Sequence, residues 1–343
     1  MKKQATYALK QQLQLVEKKR VAEELSRKLA SFDKQNELLK IALRSRCGNK
    51  NETTHNYFKN SIRKESVSNN NNALKRSVIK FFPSMPALFD QNSVKIIKET
   101  SLHGTFGKIN IVKLTNLDNV LASQKVISLE TSSEADILAE LKIMHAVSGH
   151  RLFPYCYGYV KPNLLISQYL GEFSEIDCPL VHTIRNCMGS SKLGKYQWVS
   201  VAAQVIEGIQ FLHALMILHN DIKSDNVILC GSTLTNVKII DFGKATLITN
   251  PVVYNLSESA SARYNEKHTY LAYELRNGKF TKQSVLTDVY SFGYMLKYIG
   301  YYGHFDFLYN TGRQMKTMEP RKRLSLSNAL ETFKEFLNTY SFA

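Results

Sequence analysis

Asp221, Lys223 and Asn226 stand close together in His219-Asn220-Asp221-Ile222-Lys223-Ser224-Asp225-Asn226, and Asp241-Phe242-Gly243 begins fifteen residues after Asn226. A carboxylate, an ammonium, an amide and a second carboxylate at this spacing are the parts of a phosphoryl-transfer site. Asp221 can accept the proton of an attacking hydroxyl. Lys223 can neutralise charge on the moving phosphoryl group, and Asn226 and Asp241 can offer oxygen ligands to Mg²⁺. Any one of these residues alone says little; their joint order carries the signal.

Short apolar runs must carry these groups. Val227-Ile228-Leu229 follows the first segment and Val237-Lys238-Ile239-Ile240 leads into the second, so the two acidic clusters fall at the ends of adjacent short strands. Upstream, Ile137, Leu138, Leu141 and Met144 recur at a helical period that leaves Glu140 beside the apolar stripe. Val201, Val205, Ile209 and Leu212 predict an amphipathic helix over Trp198 to Leu218, ahead of the Asp221 loop.

H-x-D-x-K-x-x-N followed by a strand pair ending in D-F-G resembles the eukaryotic-type protein kinases, and the likeness runs from roughly Val94 to Phe336. It implies an α+β, two-lobed protein-kinase fold with a small β-rich lobe and a larger helical lobe, ATP and Mg²⁺ as cofactors, and protein substrates. On this resemblance Lys125, in Ala122-Ser123-Gln124-Lys125-Val126-Ile127, takes the place of the phosphate-pairing lysine, and Glu140 that of its helix partner. Without the motif order, such a Lys and Glu read as a solvated surface pair of little energetic weight. Asp288, in Thr287-Asp288-Val289-Tyr290-Ser291-Phe292-Gly293, is implied to hold the catalytic-loop backbone. Glu274 in Ala272-Tyr273-Glu274 and Arg323 in Pro320-Arg321-Lys322-Arg323-Leu324 are implied to form a buried ion pair.

The nucleotide loop is less complete. Leu102-His103-Gly104-Thr105-Phe106-Gly107 stands where the family has G-x-G-x-x-G, with Leu102 replacing the first glycine. Backbone N–H groups do the work of such a loop, so Gly104 and Gly107 around Thr105 and Phe106 still suit phosphates. Taken alone the segment reads as an ordinary β-hairpin; Lys125 eighteen residues later favours the phosphate loop. Leu164 to Leu170 reads as a buried strand entering the segment between the lobes. Ser167 matches the residue behind the adenine, and the Gln168, Tyr169 and Leu170 backbone would bond the base; a strand end with one polar residue is the alternative.

Lys223 resembles the serine/threonine class, and Asp221-Ile222-Lys223-Ser224 the tyrosine-kinase-like branch of it. Small-molecule phosphotransferases share the H-x-D-x-x-x-x-N loop, but Asp241-Phe242-Gly243, Glu274, Asp288 and Arg323 argue against them. A pseudokinase scaffold is the alternative outside catalysis; its usual mark is loss of base or metal residues, and Lys125, Asp221, Asn226 and Asp241 are all present. Three departures stand out. Asn220 replaces an arginine that would pair with a phosphorylated activation segment. Tyr273 replaces a proline, and Lys267 falls where a threonine near the substrate hydroxyl is usual, unless Thr269 serves instead. The stretch from Asp288 to Arg323 is short, which predicts a trimmed helix on the substrate side.

Composition bounds the rest. The 343 residues are 44% hydrophobic, enough for one two-lobed domain and an extension. No apolar run has the length of a membrane span, and Met1-Lys2-Lys3-Gln4 lacks a signal-peptide core, so an intracellular location, cytoplasmic or nuclear, is expected. Cys47, Cys156, Cys178, Cys187 and Cys230 show no metal-ligand spacing and read as reduced thiols. Residues 1–80 hold 19 basic against 7 acidic side chains, three quarters of the net charge of +16. Within them Leu15, Lys18, Ala22, Leu25, Leu29, Phe32, Asn36, Leu39 and Leu43 alternate by three and four, predicting a basic helix over residues 1–47 that either pairs as a homodimeric coiled coil through residues 15–43, the reading preferred here, or docks on the catalytic domain. No aromatic stacking pattern accompanies the charge and a solvated helix face accounts for it, so there is no strong nucleic-acid or membrane signal. Residues 48–78, ending near Asn69 to Asn72, are expected to be a flexible Asn/Ser-rich linker, residues 79–170 the small lobe and 171–343 the large lobe.

Overall fold

Alternation of buried and exposed side chains builds the smaller lobe from six strands in the computed structural model, which describes residues 67–82, 84–104, 107–173 and 179–340. All of these lie in the compact unit Glu65–Ala343. The helix expected over residues 1–47, its dimer seam and the first part of the linker lie outside the described residues. The strands are β1 (Ala87–Leu88), β2 (Val94–Gly104), β3 (Gly107–Leu114), β4 (Val120–Ile127), β5 (Cys156–Val160) and β6 (Leu164–Gln168), in sheet order β1-β5-β6-β4-β3-β2. All neighbours are antiparallel except β1 and β5. Val112, Leu114, Ala122 and Ile166 fill one face. Ile127, Leu165 and Cys156 pack with Ile137 and Leu141 of α2 (Glu134–Val147) on the other. Register seats Lys125 between Ile109 and Leu165, in the middle of the sheet. A capping box between Ser133 and Asp136 fixes where α2 starts, and with it the height of Glu140.

One expectation is corrected here. The linker predicted to run to residue 78 is helical from Val67, as α1 (Val67–Phe81). Asparagine has weak helix propensity, but Leu74 and Val78, one turn apart, are buried, and tertiary burial overrides propensity. Lys142 of α2 ties the helix end down by donating to the carbonyls of Ile79 and Phe82.

The larger lobe is helical. After the short pair β7 (Glu172–Phe173) and β8 (Pro179–Leu180) come α3 (Ile184–Cys187) and the long α4 (Lys195–Ala214). Val201, Val205, Ile209 and Leu212 of α4 are all buried, as their spacing predicts. The helix ends before Leu218: Met216 takes a positive φ of 62°, and Ile217–Leu218 leave as strand β9, paired with β12 (Thr246–Leu247). Antiparallel β10 (Val227–Cys230) and β11 (Asn236–Ile239) follow the expected runs. Gly208 lets α4 approach β11, since a Cβ there would meet Ile239 Cδ1 at 2.5 Å.

Beyond β13 (Val253–Tyr254) lie α5 (Glu258–Lys267), α6 (Tyr273–Asn277), β14 (Thr281–Lys282), α7 (Val285–Tyr302), α8 (Asp306–Met315) and α9 (Leu326–Tyr340). The short stretch between Asp288 and Arg323 passes from α7 to α8 through residues 303–305. Gly293 permits the close crossing of the two helices, where a Cβ would lie 2.6 Å from that of Met315. Among the described residues no helix is long and apolar enough to cross a membrane.

Candidate active site

The loop after β9 is held by one buried carboxylate. Asp288 of α7 accepts from the backbone N–H of His219 at 3.0 Å and of Asn220 at 2.9 Å, and lies 3.0 Å from His213 Nε2 on α4. Buried backbone donors need an acceptor, and leaving them unmet would be costly. Asn220 sits at φ 63°, a left-handed turn that its short polar side chain tolerates. Its Nδ2 donates to the Lys244 carbonyl and to Thr246 Oγ1, joining the loop to the segment after Asp241.

Asp221 is buried, and four side-chain donors converge on it. Lys244 Nζ at 2.7 Å and the Tyr270 hydroxyl at 2.6 Å reach Oδ1. Lys223 Nζ and Asn226 Nδ2, both at 2.9 Å, reach Oδ2. Burial opposes the charge, but Lys244 and Lys223, with the hydrogen bonds from Lys244 and Tyr270, hold the carboxyl well below the usual carboxylate range. The Tyr270 phenol moves the other way: burial, the Asp221 charge and the hydrogen bond to it push it far above its ordinary value, so it stays a donor.

Across the cleft, Lys125 Nζ lies 2.6 Å from Glu140 Oε1 and 3.0 Å from Asp241 Oδ1, joining β4, α2 and the start of the D-F-G turn. Burial disfavours its charge, yet the two carboxylates outweigh this and raise its pKa above the ordinary lysine value. Asp241 is lowered, with burial again opposing and Lys125 prevailing. Asp241 adopts φ 68°, and Phe242 beside it is buried against Phe153 and His219. Lys75 of α1 reaches the same turn, donating to the Gly243 carbonyl at 2.8 Å.

Lys125, Glu140, Lys223, Asn226, Asp241 and Tyr270 line one cavity of about 1100 Å³ between the lobes. Asn226 and Asp241 offer hard oxygen donors. Among the described residues no three His, Cys, Asp or Glu side chains gather into a cage. That donor set fits Mg²⁺, which binds through one or two protein oxygens together with substrate phosphates and water.

The sequence model of the family described as a protein kinase domain matches residues 100–338. The chain belongs to the protein kinase family. It is 28% identical over 198 residues to the striated muscle preferentially expressed protein kinase of Danio rerio, an alignment covering 57% of this chain and 6% of that protein. It is 26% identical over 275 residues to the receptor-like serine/threonine-protein kinase NCRK of Arabidopsis thaliana, covering 68% and 45%. Against the human tyrosine-protein kinase TXK the identity is 26% over 211 residues, covering 60% and 36%. The chain thus spans less than half the length of each of these relatives, which include serine/threonine and tyrosine kinases.

Most residues singled out in the sequence meet in this kinase cleft. Ser167, Gln168, Tyr169 and Leu170 line it on the side of β6. Leu102, Gly104 and Gly107 lie where β2 turns into β3, with Gly104 paired to Gly107. Thr105 and Phe106 lie outside the described residues. Arg323 forms a two-pronged pair with Glu274 at 2.8 and 2.6 Å, away from the cleft. Lys267 and Thr269, the two positions weighed for a place near the substrate hydroxyl, both line the cavity, and Thr269 bonds the Tyr294 hydroxyl at 2.6 Å. The protein hydroxyl that reaches Asp221 belongs to Tyr270. Tyr270, Lys244 and Lys75 were not foreseen. Lys244 directly follows D-F-G and was detectable by adjacency; the other two arrive by tertiary folding, across 49 and 168 residues.

Proposed function

We propose that this kinase transfers the γ-phosphate of ATP to serine or threonine hydroxyls of protein substrates. The observation that carries the reading is the meeting of two linked sets in one cleft, Lys125–Glu140–Asp241 and Asp221–Lys223–Asn226. Lys125 would hold phosphate oxygens, its charge secured by Glu140. Asn226 and Asp241 would hold Mg²⁺, which when bound supplies charge neutralisation for the phosphates. Asp221 would orient the acceptor hydroxyl and take its proton late, and Lys223 would counter charge on the group in transit. Serine/threonine preference rests on Lys223 and on likeness to serine/threonine kinases.

Labelled ATP offered with generic acceptor proteins tests the reading: wild type should transfer phosphate and Asp221→Ala, Lys125→Ala and Asp241→Ala should not. Because the three act on one transition state, the double variants should be no worse than the singles. Retained turnover in Asp221→Ala would remove the base from its role. The full set of donors on Asp221 is the one observation favouring a non-transferring scaffold, and absence of label in wild type would support it. Residues 15–43 are proposed to pair two copies as a parallel coiled coil; sedimentation of the full chain at micromolar concentration should give a dimer, and a monomer would refute it.

A further inference from the structure

A carboxylate has about four lone-pair positions. On Asp221 Oδ1 both positions are taken by the protein's own donors, Lys244 and Tyr270, while Oδ2 accepts from Asn226 and lies 2.9 Å from the Lys223 ammonium. Three of these are cations or an amide that could support a reacting carboxylate. The fourth is a hydroxyl, donating at 2.6 Å, which is the geometry an acceptor alcohol must reach to be served by a general base. Lys223 and Lys244 lie 5.6 and 5.9 Å from the centre of the Tyr270 ring, so the ring is flanked by the same cations that surround the base. Its neighbour Thr269 is anchored to Tyr294 of α7, and Leu271 N–H bonds the His268 carbonyl, so the backbone on both sides is fixed. Tyr270 is therefore placed, not merely close.

We propose that the Tyr270 hydroxyl occupies the acceptor seat on Asp221 and competes with the substrate hydroxyl, making Tyr270 a residue that sets acceptor affinity and selectivity. The proposal rests on Asp221 being the base. An incoming alcohol must displace the phenol before it can bond Oδ1, and an acceptor able to do so gains only the difference between its own hydrogen bond and that of Tyr270. Poorly positioned hydroxyls gain nothing and are rejected. Nucleotide contacts are untouched, because Lys125, Asn226 and the β6 end of the cleft do not bond Tyr270.

The test compares wild type with Tyr270→Phe, which keeps the ring between the lysines and loses only the hydroxyl, and with Tyr270→Leu as a second hydroxyl-free variant. Two quantities are read with dephosphorylated casein as the probe. One is the split of KM and kcat with labelled ATP; the other is the Kd of casein for protein loaded with a non-hydrolysable ATP analogue. Both variants should lower the KM and Kd for casein by about tenfold, the size of one net hydrogen bond, with kcat kept or raised and the KM for ATP unmoved. Unchanged KM and Kd would overturn the proposal. So would a fall in kcat at constant KM, since Tyr270 would then be positioning the base. Phosphate found on Tyr270 would also overturn it, because a competitor is not consumed. A shift in Kd with no transfer by wild type would uphold the seat and sink the phosphotransfer reading; transfer with no shift in Kd would do the reverse.

Discussion

Lys75→Met should weaken both the fold and the catalytic turn, although Lys75 lies outside the span that matches the kinase family. The side chain is only 7% exposed, and its Nζ bonds the Gly243 carbonyl across 168 residues of chain. Methionine keeps the apolar stem in place and loses the donor, leaving a half-buried carbonyl unmet. That costs about 1–3 kcal/mol, reduced by the relief of burying an ammonium. A net loss of about 1 kcal/mol is the expectation. Its pH dependence has a definite sign. Burial lowers the Lys75 pKa, with Asp136 and Glu140 opposing, so the folded form holds fewer protons than the unfolded chain between the lowered value and 10.5. The contribution of Lys75 to stability therefore rises with pH across that window, and methionine cannot follow it. Urea unfolding at pH 7 and at a pH just below 10.5 should show the wild type ahead at both and further ahead at the higher pH. If the loss is expressed as misplacement of Asp241 within the folded protein, turnover falls roughly fivefold to tenfold. A variant of equal stability and turnover, or a gap that narrows as pH rises, would show that α1 packs without bracing the site.

Glu274→Ala strands the fully buried Arg323 guanidinium and should cost about 3–5 kcal/mol, read as a melting midpoint lower by roughly 6–15 °C. Turnover per folded molecule should be nearly unchanged at low temperature, because the pair lies away from the cleft. Asp221→Asn should flatten the acid limb of unfolding: the Asp221 carboxyl is depressed below its ordinary 3.8, so its contribution is whole above that value and drains as pH falls through the folded one. Circular dichroism below about pH 4 would reveal an equally steep limb if the four contacts contribute nothing. Phosphatase treatment should leave activity unaltered, since Asn220 joins loop and segment through neutral bonds to Lys244 and Thr246. A loss restored by rephosphorylation between Lys244 and Tyr270 would defeat that reasoning.

The reactive pairs were legible because their chemistry is local in sequence. Asp221, Lys223 and Asn226 share one loop between two strands, and Asp241 follows one hairpin later, so apolar periodicity alone fixes their proximity. Lys125 with Glu140 and Glu274 with Arg323 were reached through motif order, and the structure joins both pairs. Boundaries were less legible. The helix expected to reach Leu218 stops at Ala214, because Ile217 and Leu218 are as content in a strand against β12 as in a helix, and only the partner strand decides.

The sequence by itself determined the kinase motifs, whose resemblance implied the fold class, and the short elements around them, since a strand period, a helix period and a run of fixed-spacing polar residues are properties of neighbours along the chain. Tertiary structure alone decided that an asparagine-rich stretch becomes α1, because the gain from burying Leu74 and Val78 exists only once α2 is there to cover them. It alone decided that Tyr270 meets Asp221 while its neighbour Thr269 bonds Tyr294 of α7, since residues adjacent in sequence point different ways from an irregular segment.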